Sequence, residues 1–122
     1  MRVFRIILPV TAIEQAAGFY GALLAQTGQR VSPGRHYFDL GQMVLACHDP
    51  VAEGETEGAP ALSQPVHFAV HDLGDFHARA QAAGAVLSGA IETRPWGERS
   101  FYCRDPFGNP LCFVEAGTEF TG

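Results

Sequence analysis

The chain has 122 residues, enough for one domain with a hydrophobic core, and its 47% hydrophobic and 17% charged content excludes a disordered protein. The net charge is −5 and no basic cluster is present, so neither nucleic acid nor membrane is expected as a partner. Three cysteines without CxxC spacing argue against a disulfide framework or structural zinc, and the short, charged N-terminal apolar run is neither a signal peptide nor a membrane span. The reducing cytoplasm is the expected location.

The first half of the chain predicts one βαβββ unit. Residues 2–10 have the composition of a strand, and the apolar positions of residues 12–25 recur at helical spacing, with Thr11 as the expected N-cap and Gly28 just past the end. Three short strands are predicted next, near 29–32, 35–40 and 42–48.

The second half repeats this order after an acidic, Gly/Pro-rich linker at 50–64. A strand at 66–70 precedes a helix that Asp72 caps and Gly84 ends. The strands that follow are predicted near 86–93, 98–104 and 110–115. The fold class predicted is therefore α+β, a single domain over 1–122 in which two tandem βαβββ modules, 1–49 and 65–118, form a barrel-like cavity.

The segment Asp105–Glu115 predicts a tight hairpin. The Asp105 carboxylate is expected to accept hydrogen bonds from the amides ahead of it, and Gly108 supplies a positive φ. Pro110 lacks a ladder donor and is expected at a strand start or an exposed edge.

These features together resemble the vicinal oxygen chelate superfamily. The residues that carry the resemblance are Ala17-Gly18-Phe19-Tyr20, His67-Phe68-Ala69-Val70 and the Asp105–Glu115 hairpin. This superfamily includes glyoxalase I, extradiol dioxygenases, methylmalonyl-CoA epimerase and bleomycin-resistance proteins. Because it holds lyases, isomerases, oxygenases and pure binders on one scaffold, the resemblance implies a fold and a cavity but no single reaction.

The resemblance also implies four metal-ligand positions, one on each of four strands. They fall on Arg5, Leu45, His67 and Cys112, with Arg5 aligned to His67 and Gly41 to Gly108. Only His67 is a typical ligand, and Arg5 places a permanent cation where the ion belongs. We therefore expect that the metal site is lost and that no cofactor is bound.

Each of these residues has two possible roles. His67 is the candidate catalytic group, as a proton donor or acceptor, or else a hydrogen-bonded histidine in a polar pocket. Arg5 either anchors a carboxylate or phosphate or makes a salt bridge within the chain or to a partner. Cys112 is either an inert buried thiol or, beside His67 and Arg5, a thiolate of lowered pKa.

The remaining ligand-binding candidates are aromatic or basic. Trp96 and Arg99 lie where the family has its cavity mouth and suit a planar or anionic ligand; packing of Trp96 onto the barrel or a dimer interface is the alternative. Tyr37 and Tyr102 occupy analogous strands and either reach the cavity with their hydroxyls or fill the core.

The favoured function is a homodimeric, metal-free protein of the bleomycin-resistance type that binds a small organic ligand. The alternative is a lyase, isomerase or dioxygenase of the same superfamily that acts on a small carbonyl or aromatic substrate. The open edges of a βαβββ unit support the expectation of a dimer.

Overall fold

The computed structural model describes residues 1–122, which divide into two compact units, Met1–Leu62 and Ser63–Gly122. Each unit packs one helix on one mixed sheet, which confirms the predicted α+β class with two βαβββ-like modules. No helix is long and apolar enough to cross a membrane.

The first unit follows the predicted order closely. Its elements are β1 (Arg5–Pro9), α1 (Ile13–Leu24), β2 (Gln29–Ser32), β3 (Arg35–Asp39) and β4 (Val44–His48). The strand order in the sheet is β1-β4-β3-β2, with β1 parallel to β4 and the other neighbours antiparallel. The parallel pair requires a crossover, which α1 begins.

One face of this sheet packs against α1 and the other is open. The helix turns Ile13, Ala16, Phe19, Tyr20 and Leu23 inward. Tyr20 and Phe38 of β3 lie with ring centroids 6.4 Å apart, and Phe38 is fully buried. Because side chains alternate along a strand, Tyr37 and Asp39 lie on the open face.

The two ends of α1 differ from the prediction. The N-cap is Ala12, without a side-chain capping bond, so the expected role of Thr11 is wrong. At the other end Ala25, not a glycine, adopts the left-handed conformation at φ 54°. Gly28 also has a positive φ of 66°, and a Cβ there would lie 2.7 Å from the His36 and Phe38 rings. Gly28 is therefore required for the approach to β3 and not for ending the helix.

The second unit has one strand more than predicted. Its elements are β5 (Val66–Val70), α2 (Leu73–Ala83), β6 (Val86–Leu87), β7 (Glu92–Thr93), β8 (Arg99–Arg104) and β9 (Pro110–Glu115). The strand order is β5-β9-β8-β6, with β7 also paired to β8, so the single strand expected at 86–93 is two short ones. Gly89, at φ 102°, lies between them.

Four aromatic rings form the core of this unit. Phe113 stacks on Phe68 and Phe101 at 5.2 Å, and on Phe76 of α2 at 5.5 Å. Asp72 is the N-cap of α2 as predicted, although its side chain makes no capping bond, and Gly84 ends the helix at φ 96°. These contacts fix which face of the second sheet is covered by the helix.

The hairpin between β8 and β9 has the predicted turn chemistry. The Asp105 carboxylate accepts hydrogen bonds from the backbone amides of Phe107 at 2.9 Å and Asn109 at 2.8 Å. It also accepts one from Asn109 Nδ2 at 2.9 Å. Gly108 takes a φ of 86°, and Pro110 begins β9. The turn sets the register that brings Tyr102 opposite Cys112.

Candidate functional site

The open face of the second sheet brings three of the predicted site residues together. His67 pairs with Cys112 across the parallel β5–β9 ladder, and Tyr102 pairs with Cys112 across the antiparallel β8–β9 ladder. The helix-facing phenylalanines occupy the alternate positions of the same strands. The register therefore lines up His67, Cys112 and Tyr102 as one row.

His67 is exposed and partly oriented by its own strand. Its Nδ1 lies 3.3 Å from the Pro65 carbonyl oxygen, and its ring meets the Tyr102 ring edge-on at 6.3 Å. A proton on Nδ1 satisfies the carbonyl and leaves Nε2 as an acceptor. The side chain is thus available to a ligand as a hydrogen-bonding group.

Cys112 lacks the features of a nucleophile. Burial raises the pKa of its thiol, and hydrogen bonds with Tyr102 and Ser100 offset this only in part. The side chain is fully buried between its strand neighbours. The alternative of a lowered pKa is therefore wrong, because loss of hydration outweighs the local hydrogen bonds.

A cavity of about 490 Å³ lies beside His67 in this unit. Trp96, Glu98 and Phe120 contribute to its wall together with His67. The Glu98 carboxylate accepts hydrogen bonds from Trp96 Nε1 at 2.8 Å and from the Phe120 amide at 2.9 Å. The hydrogen bond from the Phe120 amide has the largest effect, followed by that from Trp96, and both lower the pKa of Glu98. The Glu98 carboxylate is therefore ionised at neutral pH.

Sequence reasoning missed Glu98 and the C-terminal tail. Trp96 was identified, but no local pattern connects it with Phe120, which lies far along the chain. The tail is held because the Thr118 hydroxyl accepts a hydrogen bond from the Arg99 amide at 3.1 Å and donates one to the Glu115 carbonyl at 2.7 Å. Only the tertiary structure places Glu119 and Phe120 at the cavity wall.

The predicted role of Arg99 at this face is wrong, and Arg94 stands there instead. Arg99 forms an ion pair with Glu115 at 3.3 Å. Because side chains alternate along β8, Arg99 and Tyr102 lie on opposite faces of the sheet. The Arg94 guanidinium lies 5.1 Å from the Tyr102 ring centroid. It also donates to the Ser100 hydroxyl and carbonyl at 2.9 and 3.1 Å.

In the first unit, the predicted site residues Arg5, Tyr37 and Leu45 do not all lie on the same face of the sheet. Arg5 and Tyr37 share the open face, where the Arg5 guanidinium lies 5.4 Å from the Tyr37 ring centroid. Leu45 is fully buried and pairs with Ile6 and Phe38, on the face covered by α1. Leu45 therefore lies in the core, and its expected position on the cavity face is wrong.

The repeat register also corrects the pairing of Arg5 with His67. Ile7 pairs with Ala46, which pairs with Tyr37, just as His67 pairs with Cys112, which pairs with Tyr102. The helices begin at Ile13 and Leu73, the same distance along the chain from Ile7 and from His67. The counterpart of His67 is thus Ile7, and that of Arg5 is Pro65.

These residues do not fit the metal site that the resemblance implies. The four positions that the resemblance implies hold a guanidinium at Arg5, an aliphatic side chain at Leu45, an imidazole at His67 and a protonated thiol at Cys112. No group of three or more His, Cys, Asp or Glu side chains is arranged to hold an ion. Divalent metal ions such as Mg²⁺, Mn²⁺ and Fe²⁺ need several anionic or imidazole donors.

Comparison with known proteins supports the resemblance over nearly the whole chain. Residues 2–113 match the family model described as the glyoxalase/bleomycin resistance protein/dioxygenase superfamily. No curated protein matches the sequence.

Solved structures show the same fold at low sequence identity. A glyoxalase-related enzyme from Fulvimarina pelagi superposes with a TM-score of 0.81 at 22% identity, covering 100% of this chain and 93% of the other. A glyoxalase/bleomycin resistance protein from Albidiferax ferrireducens T118 gives 0.77 at 22%, covering 91% and 95%. A lactoylglutathione lyase from Agrobacterium tumefaciens gives 0.72 at 21%, covering 94% and 93%.

Proposed function

Since the chain belongs to the glyoxalase/bleomycin resistance protein/dioxygenase superfamily, we propose that it binds a small organic molecule at the His67 cavity without a catalytic metal. The observation that carries this proposal is the cavity of about 490 Å³ whose wall includes His67, Trp96 and Phe120. Its volume lies within the range of small-molecule sites, about 300–1,000 Å³.

The chemistry of the wall indicates the kind of ligand. The Trp96 indole is about half exposed, and Glu98 fixes its orientation through the Nε1 hydrogen bond. A fixed aromatic surface stacks on a planar group at little cost in conformational entropy. His67 then supplies a hydrogen bond to a polar substituent, and the ionised Glu98 favours a ligand that carries a donor.

Ligand binding is tested with the single tryptophan as the reporter. Planar aromatic compounds are titrated while Trp96 fluorescence is followed, and hits are repeated with His67→Ala and His71→Ala. His71 is exposed and follows the end of the same strand, so it is the matched control. We expect His67→Ala to weaken binding at least about fivefold and His71→Ala to change it less than twofold.

Metal content is tested on protein purified without chelators or added ions. Elemental analysis is expected to find no stoichiometric divalent ion in the parent protein. An ion present at one per chain and lost in His67→Ala would contradict the metal-free proposal. In the fluorescence titration, an equal affinity of His67→Ala and His71→Ala for the aromatic ligand would instead exclude His67 from the binding site.

The exposed imidazole of His67 favours a second candidate, a lyase, isomerase or dioxygenase acting on a small carbonyl or aromatic substrate. An acceptor at Nε2 beside the Tyr102 ring suits acid–base work on such a substrate. Turnover of a hemithioacetal, an epimerisable thioester or a catechol that disappears in His67→Ala and persists in His71→Ala would establish this function instead.

A further inference from the structure

The first unit contains a second and larger cavity, of about 800 Å³. Phe4, Tyr37 and Met43 supply apolar and aromatic wall, and Arg2, Gln29 and Asp39 supply polar groups. A few polar groups on a largely apolar wall are typical of small-molecule sites. None of these residues lines the cavity beside His67.

The arginines of the chain differ in how they are neutralised. All eight basic residues are arginine, and acidic residues outnumber them at thirteen. Five form ion pairs with carboxylates: Arg30 with Glu14, Arg35 with Glu53, Arg79 with Asp75, Arg94 with Glu92 and Arg99 with Glu115. The three without a carboxylate are Arg2, Arg5 and Arg104, and the first two lie at or beside the large cavity.

Arg5 differs from Arg2 and Arg104 in its hydrogen bonding. Arg2 donates to the Gln42 carbonyl at 2.6 Å, and Arg104 donates to the Gly108 carbonyl at 2.9 Å. The Arg5 guanidinium makes no hydrogen bond or ion pair and lies over two rings, 5.2 Å from the Phe4 centroid and 5.4 Å from the Tyr37 centroid. Both rings line the cavity, so they hold the cation at its border while its N–H donors stay unused.

We propose that this cavity binds a small molecule with a carboxylate or phosphate group on a planar apolar body. The anionic group binds Arg5, whose planar guanidinium matches either anion through two parallel hydrogen bonds. Arg2 adds a second positive charge at the wall. The planar body lies against Tyr37 and Met43, and the Gln29 amide is available to a polar edge of the ligand. This site is separate from the proposed function at His67.

The test uses phenyl phosphate and benzoate as the two anionic probes, with benzylamine and inorganic phosphate as comparison probes. Binding is measured by titration in ¹H–¹⁵N correlation spectra at low ionic strength. We expect saturable shifts at the amides of Phe4, Gly28 and Val44 with the aryl anions. Benzylamine lacks the negative charge and phosphate ion lacks the ring, so each is expected to bind at least about tenfold more weakly.

Substitutions identify which arginine binds the anionic group of the probe. Arg5→Gln keeps a polar side chain and removes the cation, and we expect it to weaken phenyl phosphate binding at least about tenfold. Arg104→Gln removes another arginine without a carboxylate partner and should change binding less than twofold. Trp96→Ala, at the other cavity, should also change it less than twofold.

Three results would overturn the proposal. The first is the absence of saturable shifts with either aryl anion up to about 10 mM, which is weak even for a fragment of this size. The second is equal affinity of Arg5→Gln and the parent protein. The third is loss of binding in Trp96→Ala with Arg5→Gln unaffected, which would assign the aryl anions to the His67 cavity. The first two results do not depend on whether the His67 proposal holds, and the third would support that proposal while excluding this one.

Discussion

At the scale of single residues, the open face of the second unit has a buried thiol at Cys112 and an accessible imidazole at His67 beside it. Cys112 is covered by its neighbours, whereas His67 is exposed in the same row of the sheet. The environment of each side chain, more than its type, therefore decides its chemistry. An imidazole in water can bind or exchange a proton, whereas a buried thiol cannot readily ionise.

This difference predicts slow reaction of the cysteines in the folded protein. Burial raises the pKa of Cys112 above its ordinary 9.0 and, with Asp105 close by, that of Cys103 to about 12. Because the thiolate is the reactive form, we expect alkylation by iodoacetamide at pH 8 to be at least about tenfold slower than in denaturant. Mass spectrometry would follow each cysteine separately. One cysteine modified in the native state as fast as in denaturant, with Cys112→Ser removing that reaction, would contradict the assignment.

The residue scale also shows what the sequence could not reveal. Tyr37 and Tyr102 were correctly predicted as equivalent, because both lie in the strand that follows a clear turn. The alignment of Gly41 with Gly108 predicts Leu45 as the counterpart of Cys112, whereas the structure shows Ala46 there, and a shift of one residue in a strand reverses the face. Glu98 and Phe120 meet only through tertiary structure, for which a single sequence gives no local signal.

At the scale of elements, helix termini were predicted less well than helix interiors. The interior follows from apolar periodicity, which α1 shows over Ile13–Leu24. The ends depend on single backbone conformations, and Ala25 takes the left-handed region although its Cβ makes that conformation costly. In α2 the same role falls to Gly84, where no Cβ is present. The two helix ends thus form a natural matched pair.

We predict opposite stability changes for the two reciprocal substitutions at these ends. Ala25→Gly should relieve the strain and stabilise the protein by about 1 kcal/mol. Gly84→Ala should destabilise it by a similar amount, since an added Cβ meets no atom within 4 Å and the effect is confined to the backbone. Urea denaturation would measure both free energies. A loss of stability in Ala25→Gly would show that the left-handed turn is not strained.

At the scale of the whole molecule, the two units repeat a fold but not a surface chemistry. The first unit has its larger cavity beside two arginines without carboxylate partners, and the second has a smaller one with Glu98 and Glu119 in its wall. The repeated pattern of strands and helices predicted the common architecture. It could not predict this difference, because Arg2, Glu98 and Glu119 lie outside the repeated strands and helices, and only Arg5 lies within a strand.

The exposed apolar side chains of the first unit lead us to predict that the chain forms a homodimer. Ile7 lies in the middle of β1, an edge strand of that unit's sheet, with about half of its surface exposed, and Phe4 nearby is exposed to the same extent. A large apolar side chain on an open sheet face is typical of a surface that another chain covers. We therefore expect light scattering to give twice the chain mass at micromolar concentration. Ile7→Glu should lower the dimer fraction, whereas Val51→Glu, at an equally exposed loop valine, should not. A monomeric parent at every concentration would contradict the homodimer.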